Sequence, residues 1–286
     1  ADFFRKNYFQ LFPSLVISHK MGTRHELSYS IKKRIDRPNY QQLNPFKLFY
    51  DPSTYDEGNP ALQPQITYTF EAAHTYKEKY ITTFTYSRTS DYIAYVVLQN
   101  PQDPKTSVLA IKNIKSLSSL NLNIYIPIKI SKTWSMTNSL NINHSKYSGL
   151  LVDNTIQRDG FYFSNNMRHT ITLPKGWSSE LIFTYYSKGV HPLGYYYSST
   201  NLMIGAKKSI MHGKGSLRLN IRDIFYTNRI LADTKFANID ETWKQLTDSR
   251  YATLTFTLQF GKKTVPAVRK RTTGLESEQD RIQGVK

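Results

Sequence analysis

The sequence predicts an all-β protein, an antiparallel transmembrane β-barrel contributing about 11 strands. Three observations carry this expectation. Apolar and polar residues alternate at period two along most of the 286 residues. The connections alternate between short turns and mostly longer excursions. The longest apolar run, Ile93 to Leu98, has six residues, whereas a membrane-spanning helix needs about 20. A low mean hydropathy of −0.50 does not argue against the membrane, because a barrel hides a polar lumen behind an apolar outer face.

The alternation is clearest in five segments. In 26–34, Leu27, Tyr29 and Ile31 alternate with Glu26, Ser28, Ser30, Lys32 and Arg34. In 65–77, Ile66, Tyr68, Phe70, Ala72, His74 and Tyr76 oppose Thr67, Thr69, Glu71 and Thr75. Leu120, Leu122, Ile124 and Ile126 mark a third segment, and Trp134, Met136, Leu140 and Ile142 a fourth. The last strand sets Ala252, Leu254, Phe256 and Leu258 against Thr253, Thr255 and Thr257. Weaker patterns at 10–20, 80–98, 161–173, 177–188, 195–210 and 215–224 complete the set. The one candidate helical turn is Tyr40 to Leu43.

Short turns fall at 20–24, 77–79, 127–133, 174–176 and 212–215. Between them lie excursions at 36–64, 99–106, 147–159, 189–194 and 225–249. Barrels sort their loops in this way, with short periplasmic turns and long extracellular loops. The final strand then runs toward the periplasm, and so does the strand at 10–20. Eleven is odd, while bacterial single-chain barrels have even counts. The expectation is a barrel of about 22 strands, completed by strands outside this chain. Residues 1–261 would form the C-terminal half of the barrel, and 262–286 a basic periplasmic tail.

Composition excludes several classes of chemistry. With no cysteine, disulfides, Cys-based zinc sites, iron–sulfur clusters and thiol catalysis are all ruled out. The net charge of +17 invites a nucleic-acid partner. However, the Lys and Arg residues are scattered, and their densest cluster, Lys262-Lys263 through Arg269-Lys270-Arg271, sits near the C-terminus. No nucleic-acid partner is expected; lipopolysaccharide phosphates or an anionic solute suit the charge equally well. The N-terminal Ala1-Asp2-Phe3-Phe4-Arg5-Lys6 lacks the apolar core of a signal peptide.

Two stretches carry a resemblance to a known family. The first reads Arg34-Ile35-Asp36-Arg37-Pro38-Asn39-Tyr40-Gln41-Gln42-Leu43-Asn44-Pro45-Phe46, then Gly58-Asn59-Pro60-Ala61-Leu62-Gln63-Pro64. The second reads Asp223-Ile224-Phe225-Tyr226-Thr227-Asn228-Arg229, followed by Asp248-Ser249-Arg250 before the last strand. Tyr8 to Ser14 and the tail Arg269 to Glu276 match in the same order. The combination resembles Bacteroidota outer-membrane β-barrel proteins related to TonB-dependent receptors. The resemblance implies an outer-membrane location, a barrel of about 22 strands, and a plug and a periplasmic domain encoded upstream.

Candidate sites follow. The prolines at 38, 45, 52, 60 and 64 restrict the backbone of the first excursion, and Gly58-Asn59 supplies a turn. Such punctuation suggests an ordered loop that either seals the barrel mouth or contacts a ligand through Tyr40, Phe46, Phe49, Tyr50 and Tyr55. Trp134 and Trp177 each open a strand after a short turn and are expected in the periplasmic aromatic girdle. Lys32, Arg34, Arg168, Arg218 and Arg222 fall on the lumen side, where they either balance an acidic plug or favour anionic solutes. His74 and His169, on apolar faces, are expected to pack rather than ligate. The histidines form no His-x-x-x-His pair, and no Gly-x-Ser-x-Gly elbow exists. No enzyme activity, metal or cofactor is expected. The leading function is a TonB-dependent transporter or receptor barrel for nutrient uptake. The alternative is a non-transporting structural subunit of an outer-membrane complex. Expected partners are outer-membrane lipid and lipopolysaccharide, the remaining barrel and plug, TonB through that part, and, as a further candidate, a surface lipoprotein.

Overall fold

The structure, a computed structural model, describes residues 10–100, 102–151 and 153–260. In chain order the elements are β1 (Ser14–Met21), β2 (His25–Asp36), α1 (Tyr40–Leu43), β3 (Leu48–Asp51), β4 (Thr54–Glu57), β5 (Gln65–Tyr76), β6 (Tyr80–Gln99), β7 (Ser107–Lys129), β8 (Trp134–Leu151) and β9 (Asn154–Leu173). There follow β10 (Trp177–Tyr186), β11 (Gly189–His191), β12 (Gly194–Tyr196), β13 (Ser199–Ile210), β14 (Gly215–Arg222), β15 (Arg229–Phe236), β16 (Ile239–Leu246) and β17 (Tyr251–Leu258).

The main sheet runs β1-β2-β5-β6-β7-β8-β9-β10-β13-β14-β17, eleven strands in one antiparallel path. Its edges are β1 and β17, so the described residues form a partial barrel. The five short turns all lie at one rim and the excursions at the other.

Register sorts the two faces. Residues directly opposite in an antiparallel ladder share a face. Phe256 pairs with Leu217, Leu217 with Lys208, and Lys208 with Trp177. The same face continues through Leu173 and Ile171 to Trp134. It goes on through Ile142 and Leu122 to Phe84, then Ala72, Tyr29 and Ile17. The opposite face is Ser, Thr and Asn with a few charges, knitted by side-chain bonds. Asn143 Nδ2 donates to Ser119 Oγ at 2.6 Å, and Asn166 Nδ2 to Thr184 Oγ1 at 2.8 Å.

Three expectations are corrected. The segment 147–159 is not an excursion: β8 and β9 stay paired to Leu151↔Asn154 and project as a long hairpin. The excursions 189–194 and 225–249, for which no strands are expected, contain β11, part of β12, β15 and β16, which together form a second, four-stranded sheet. The residues at the start of the expected strand 195–210 belong to that second sheet, and β13 opens only at Ser199.

The buried core lies at the excursion rim, not midway along the sheet. Ala94 and Val96 of β6, Val108, Ala110 and Ile114 of β7, Tyr147 and Leu151 of β8, Ile156 of β9 and Leu193 between β11 and β12 pack together. The middle of a single-layer sheet has no second protein layer to bury against. The long strands continue past it and find one in the folded excursions. The apolar run Ile93 to Leu98 therefore supplies core to this upper part. β4 pairs in parallel with β7 along Thr54↔Ser107 to Glu57↔Ala110. It occupies the edge of β7 beyond the last β8 pairing, Ser116↔Ser148.

Candidate functional site

The first excursion is ordered by its own motif residues. Asn39 caps α1: its Oδ1 accepts from Gln42 N at 2.8 Å, while Gln42 Oε1 accepts from Asn39 N at 2.9 Å. This reciprocal box satisfies two backbone donors that a helix start leaves open. The returning strand then docks on the helix end. Gly58 N donates to Asn44 O at 3.0 Å and Asn59 N to Gln42 O at 2.7 Å. A Cβ at Gly58 would overlap the Asn44 carbonyl and lie 2.8 Å from the carbonyls of Gln41 and Gln42, so only glycine fits. Asn59 Nδ2 reaches Ile111 O of β7 at 3.1 Å. Asn113 ties the loop's exit, accepting from Gln63 N at 2.8 Å and donating to Gln63 O at 3.0 Å and Asp91 O at 2.6 Å.

Motif residues divide between this lock and an exposed tip. Pro38 is buried, Pro60 and Pro64 are half-buried, and Leu43 lies in the helix; Arg37, Tyr40, Asn44, Pro45 and Phe46 are exposed. Phe46 stands 80% exposed. Phe49 and Tyr50 are exposed as well, whereas Tyr55 is only 4% exposed. Tyr55 is therefore not part of the exposed tip: its ring packs in the core and borders an adjoining cleft, with the Lys47 ammonium 4.5 Å from the ring centroid.

The C-terminal motif forms a second knot. Asp223, fully buried, directly follows β14. Its carboxylate accepts from Thr227 N at 2.9 Å, from Asn228 N at 3.2 and 3.3 Å, and from Ser249 Oγ at 2.6 Å. Burial pushes its pKa up, but these hydrogen bonds and the nearby Arg250 charge outweigh burial and hold the carboxyl below the usual aspartate value. Arg250 lies 4.7 Å from the Tyr226 ring centroid. Asp223, Asn228 and Arg250 thus converge. Arg229 opens β15, while Phe225 and Asp248 are exposed. Ser249, which the sequence marks only by its place between Asp248 and Arg250, makes the shortest of these bonds.

Between these two knots, β11-β12-β15-β16 folds over the tops of β6 and β7. Gly194 closes the fold-over: a Cβ there would overlap the Asp233 carbonyl. His191 Nε2–H donates to Asp233 O at 2.8 Å and Tyr195 N to Asp233 Oδ1 at 2.7 Å. Burial of His191 lowers its pKa and favours the neutral ring. The arrangement leaves a cleft of about 480 Å³ lined by Tyr50, Asp56, Tyr95, His191, Tyr196, Glu241 and Trp243 among others. An adjoining cleft of about 800 Å³ is lined by Lys47, Glu57, Lys112, Asn154 and Phe236 among others. Apart from Tyr50, the cleft side chains escape the sequence reading, because the lining comes from six separate segments of the chain.

Trp134 and Trp177 open β8 and β10 on the apolar face, two residues apart in register through Ile171 and Leu173 of β9. The indole N–H of Trp134 donates to His169 Nδ1 at 3.1 Å. His74 stacks on His25. The five expected lumen cations share the polar face, but they are not all left for a plug. Arg168 pairs with Glu180 at 2.7 Å, Arg34 with Asp36 at 2.7 Å, and Arg222 Nη1 donates to Tyr251 OH at 2.7 Å. The basic cluster 262–271 lies outside the described residues. No group of three or more His, Asp or Glu with metal-binding geometry occurs among the described residues.

Comparisons with known proteins agree with this architecture. A search of curated proteins finds no match. Among solved structures, the siderophore receptor PirA from Pseudomonas aeruginosa superposes with a TM-score of 0.57 at 16% identity, covering 86% of this chain and 42% of that receptor. The ferric enterobactin receptor PfeA from the same organism, in complex with enterobactin, gives 0.50 at 16% identity, covering 76% and 35%. The chain therefore spans about two fifths of the length of the first of these receptors, and the likeness is one of fold. A model of the outer membrane protein beta-barrel family matches residues 1–258. The chain belongs to that family and forms part of an outer-membrane β-barrel.

Proposed function

We propose that this chain is the C-terminal half of a TonB-dependent receptor barrel that takes up a nutrient ligand. The observation that carries this function is the roofed, aromatic-lined cleft of about 480 Å³ at the excursion rim, above a sheet whose fold resembles siderophore receptors. A barrel that only scaffolds neighbouring proteins has no need to fold its loops into a second sheet around a cleft. In this assignment the short turns face the periplasm and the excursions face outward. Further strands pair with β1 and β17 to make about 22, and a plug in the remaining gene product engages TonB. Residues 262–286 form a periplasmic tail. Trp134 and Trp177 sit at the periplasmic lipid interface, and lipopolysaccharide surrounds the outer rim. A surface lipoprotein is the candidate partner for the exposed Phe46–Tyr50 tip.

The test uses a strain lacking the gene, complemented with the whole gene product or with a variant missing the hairpin 229–246. Growth on single nutrient sources and uptake of labelled ferric siderophores are compared with and without an uncoupler. A nutrient-specific, uncoupler-sensitive defect restored only by the intact protein supports the receptor. An envelope-integrity defect without any nutrient specificity favours the structural subunit instead.

A further inference from the structure

The cleft has an electrostatic character opposite to that of the whole chain. The protein carries 38 Lys+Arg against 21 Asp+Glu. Yet the cleft lining includes the carboxylates of Asp56 and Glu241 and not one Lys or Arg. The ion pairs among the described residues use other acids, Asp36, Asp159, Glu180 and Asp240, which leaves Asp56 and Glu241 without one. His191, the one other titratable base in the lining, is held toward neutrality by burial.

The surrounding region shows what its aromatic rings do when a cation is in reach. Lys47 sits over Tyr55, and Lys188 over Tyr195 at 4.1 Å with Arg158 at 5.0 Å from the same ring. These cations are all engaged outside the cleft. Inside it, Tyr50, Tyr95, Tyr196 and Trp243 have no cation over them among the described residues, and all four are exposed. Electron-rich ring faces beside acidic side chains attract ammonium and guanidinium groups. A neutral ligand filling this space would strip water from two carboxylates without neutralising either. An anion would meet like charge.

We propose that the cleft binds a ligand through an ammonium or guanidinium group, supplied by a polyamine or by a basic peptide. Trp243 and Tyr196 offer ring faces, and Asp56 and Glu241 offer the counter-charge. The proposal rests on the receptor function and narrows its ligand class.

The whole gene product, purified in non-ionic detergent, is titrated calorimetrically with spermidine, tri-lysine, maltotriose and citrate. Saturable binding of spermidine or tri-lysine is expected, weakened at least tenfold by Glu241→Gln and by Asp56→Asn, and weakened by added salt. Binding of spermidine alone identifies a polyamine-type ligand, and binding of tri-lysine alone a peptide. Absence of saturable binding by both cations overturns the proposal, as does cation binding that both substitutions leave unchanged. Saturable binding of maltotriose or citrate in place of the cations overturns it too. Each of these failures is separable from failure of the receptor function, which is read from uncoupler-sensitive uptake in cells.

Discussion

Ser249 Oγ donates to Asp223 Oδ2 at 2.6 Å, and this single bond joins the two ends of an excursion that leaves the main sheet after β14 and re-enters it at β17. Asp223 also gathers the backbone N–H groups of Thr227 and Asn228. The knot fixes where the β15–β16 hairpin leaves the sheet and so where its cleft-forming side chains stand. Asp223→Ala leaves these part-buried donors without their acceptor, at a cost of about 1 kcal/mol for each lost bond. Limited proteolysis should then cut the 229–246 hairpin faster than in the parent. The sign of the pH effect follows from the depressed pKa. Stabilisation is present above the ordinary aspartate value of about 3.9 and is lost as pH falls through the lower folded value. Acid loosening of this hairpin below about pH 4, absent in Asp223→Asn, is the expected signature.

Gly58→Ala should break the first excursion without unfolding the barrel. The new methyl meets three backbone carbonyls, which cannot rotate away as a side chain would. Hydrogen exchange should rise across 39–64 and stay unchanged in β13 and β14. Unchanged protection at Asn59 would show that the lock tolerates a side chain.

Phe256 and Thr255 test the two faces of β17. Phe256 shares the apolar face with Leu217, and Thr255 the polar face with Arg218. Phe256→Arg should cost about 2–4 kcal/mol if it lies near the bilayer midplane, whereas Thr255→Arg should be tolerated. Folding of the whole gene product into liposomes, followed by urea titration, measures both. Equal costs would contradict the assignment of lipid and lumen sides.

Trp134 and Trp177 are expected at one depth near the periplasmic interface, where an indole keeps one edge wet. In the whole gene product, the fluorescence lost on Trp134→Phe and on Trp177→Phe should in each case be the part that lipids brominated at shallow acyl positions quench. Quenching strongest from the bilayer centre would move the short-turn rim out of the interface.

The edges of the main sheet predict how the barrel closes. Eleven antiparallel strands leave β1 and β17 running the same way, so the two cannot close on each other by antiparallel pairing. Each unpaired backbone group in hydrocarbon costs several kcal/mol. The 286 residues alone should therefore fail to form a heat-modifiable monomer in liposomes, while the whole gene product should form one. A stable monomeric barrel from this chain by itself would refute the half-barrel.

Several features were legible in the residues alone. Period-two alternation such as Leu254, Phe256 and Leu258 against Thr253, Thr255 and Thr257 is local, and a one-residue slip would invert it. The eleven path strands, their faces and the five short turns could therefore be read from neighbouring residues. The motif around Arg37 to Pro64 announced an ordered loop, because its prolines and Gly58 act on their own backbone. What only the tertiary structure decided involves partners far apart in the chain. β11 and β12 have three residues each and join the β15–β16 hairpin only where Gly194 pairs with Thr234, forty residues away. Tyr55 reads as one more exposed loop aromatic until β4 lies along β7 and buries it. The cleft between Tyr50, Tyr95, Tyr196 and Trp243 exists only once those segments meet. Its acidic lining within a basic chain reflects which side chains the fold brings together, which composition cannot report.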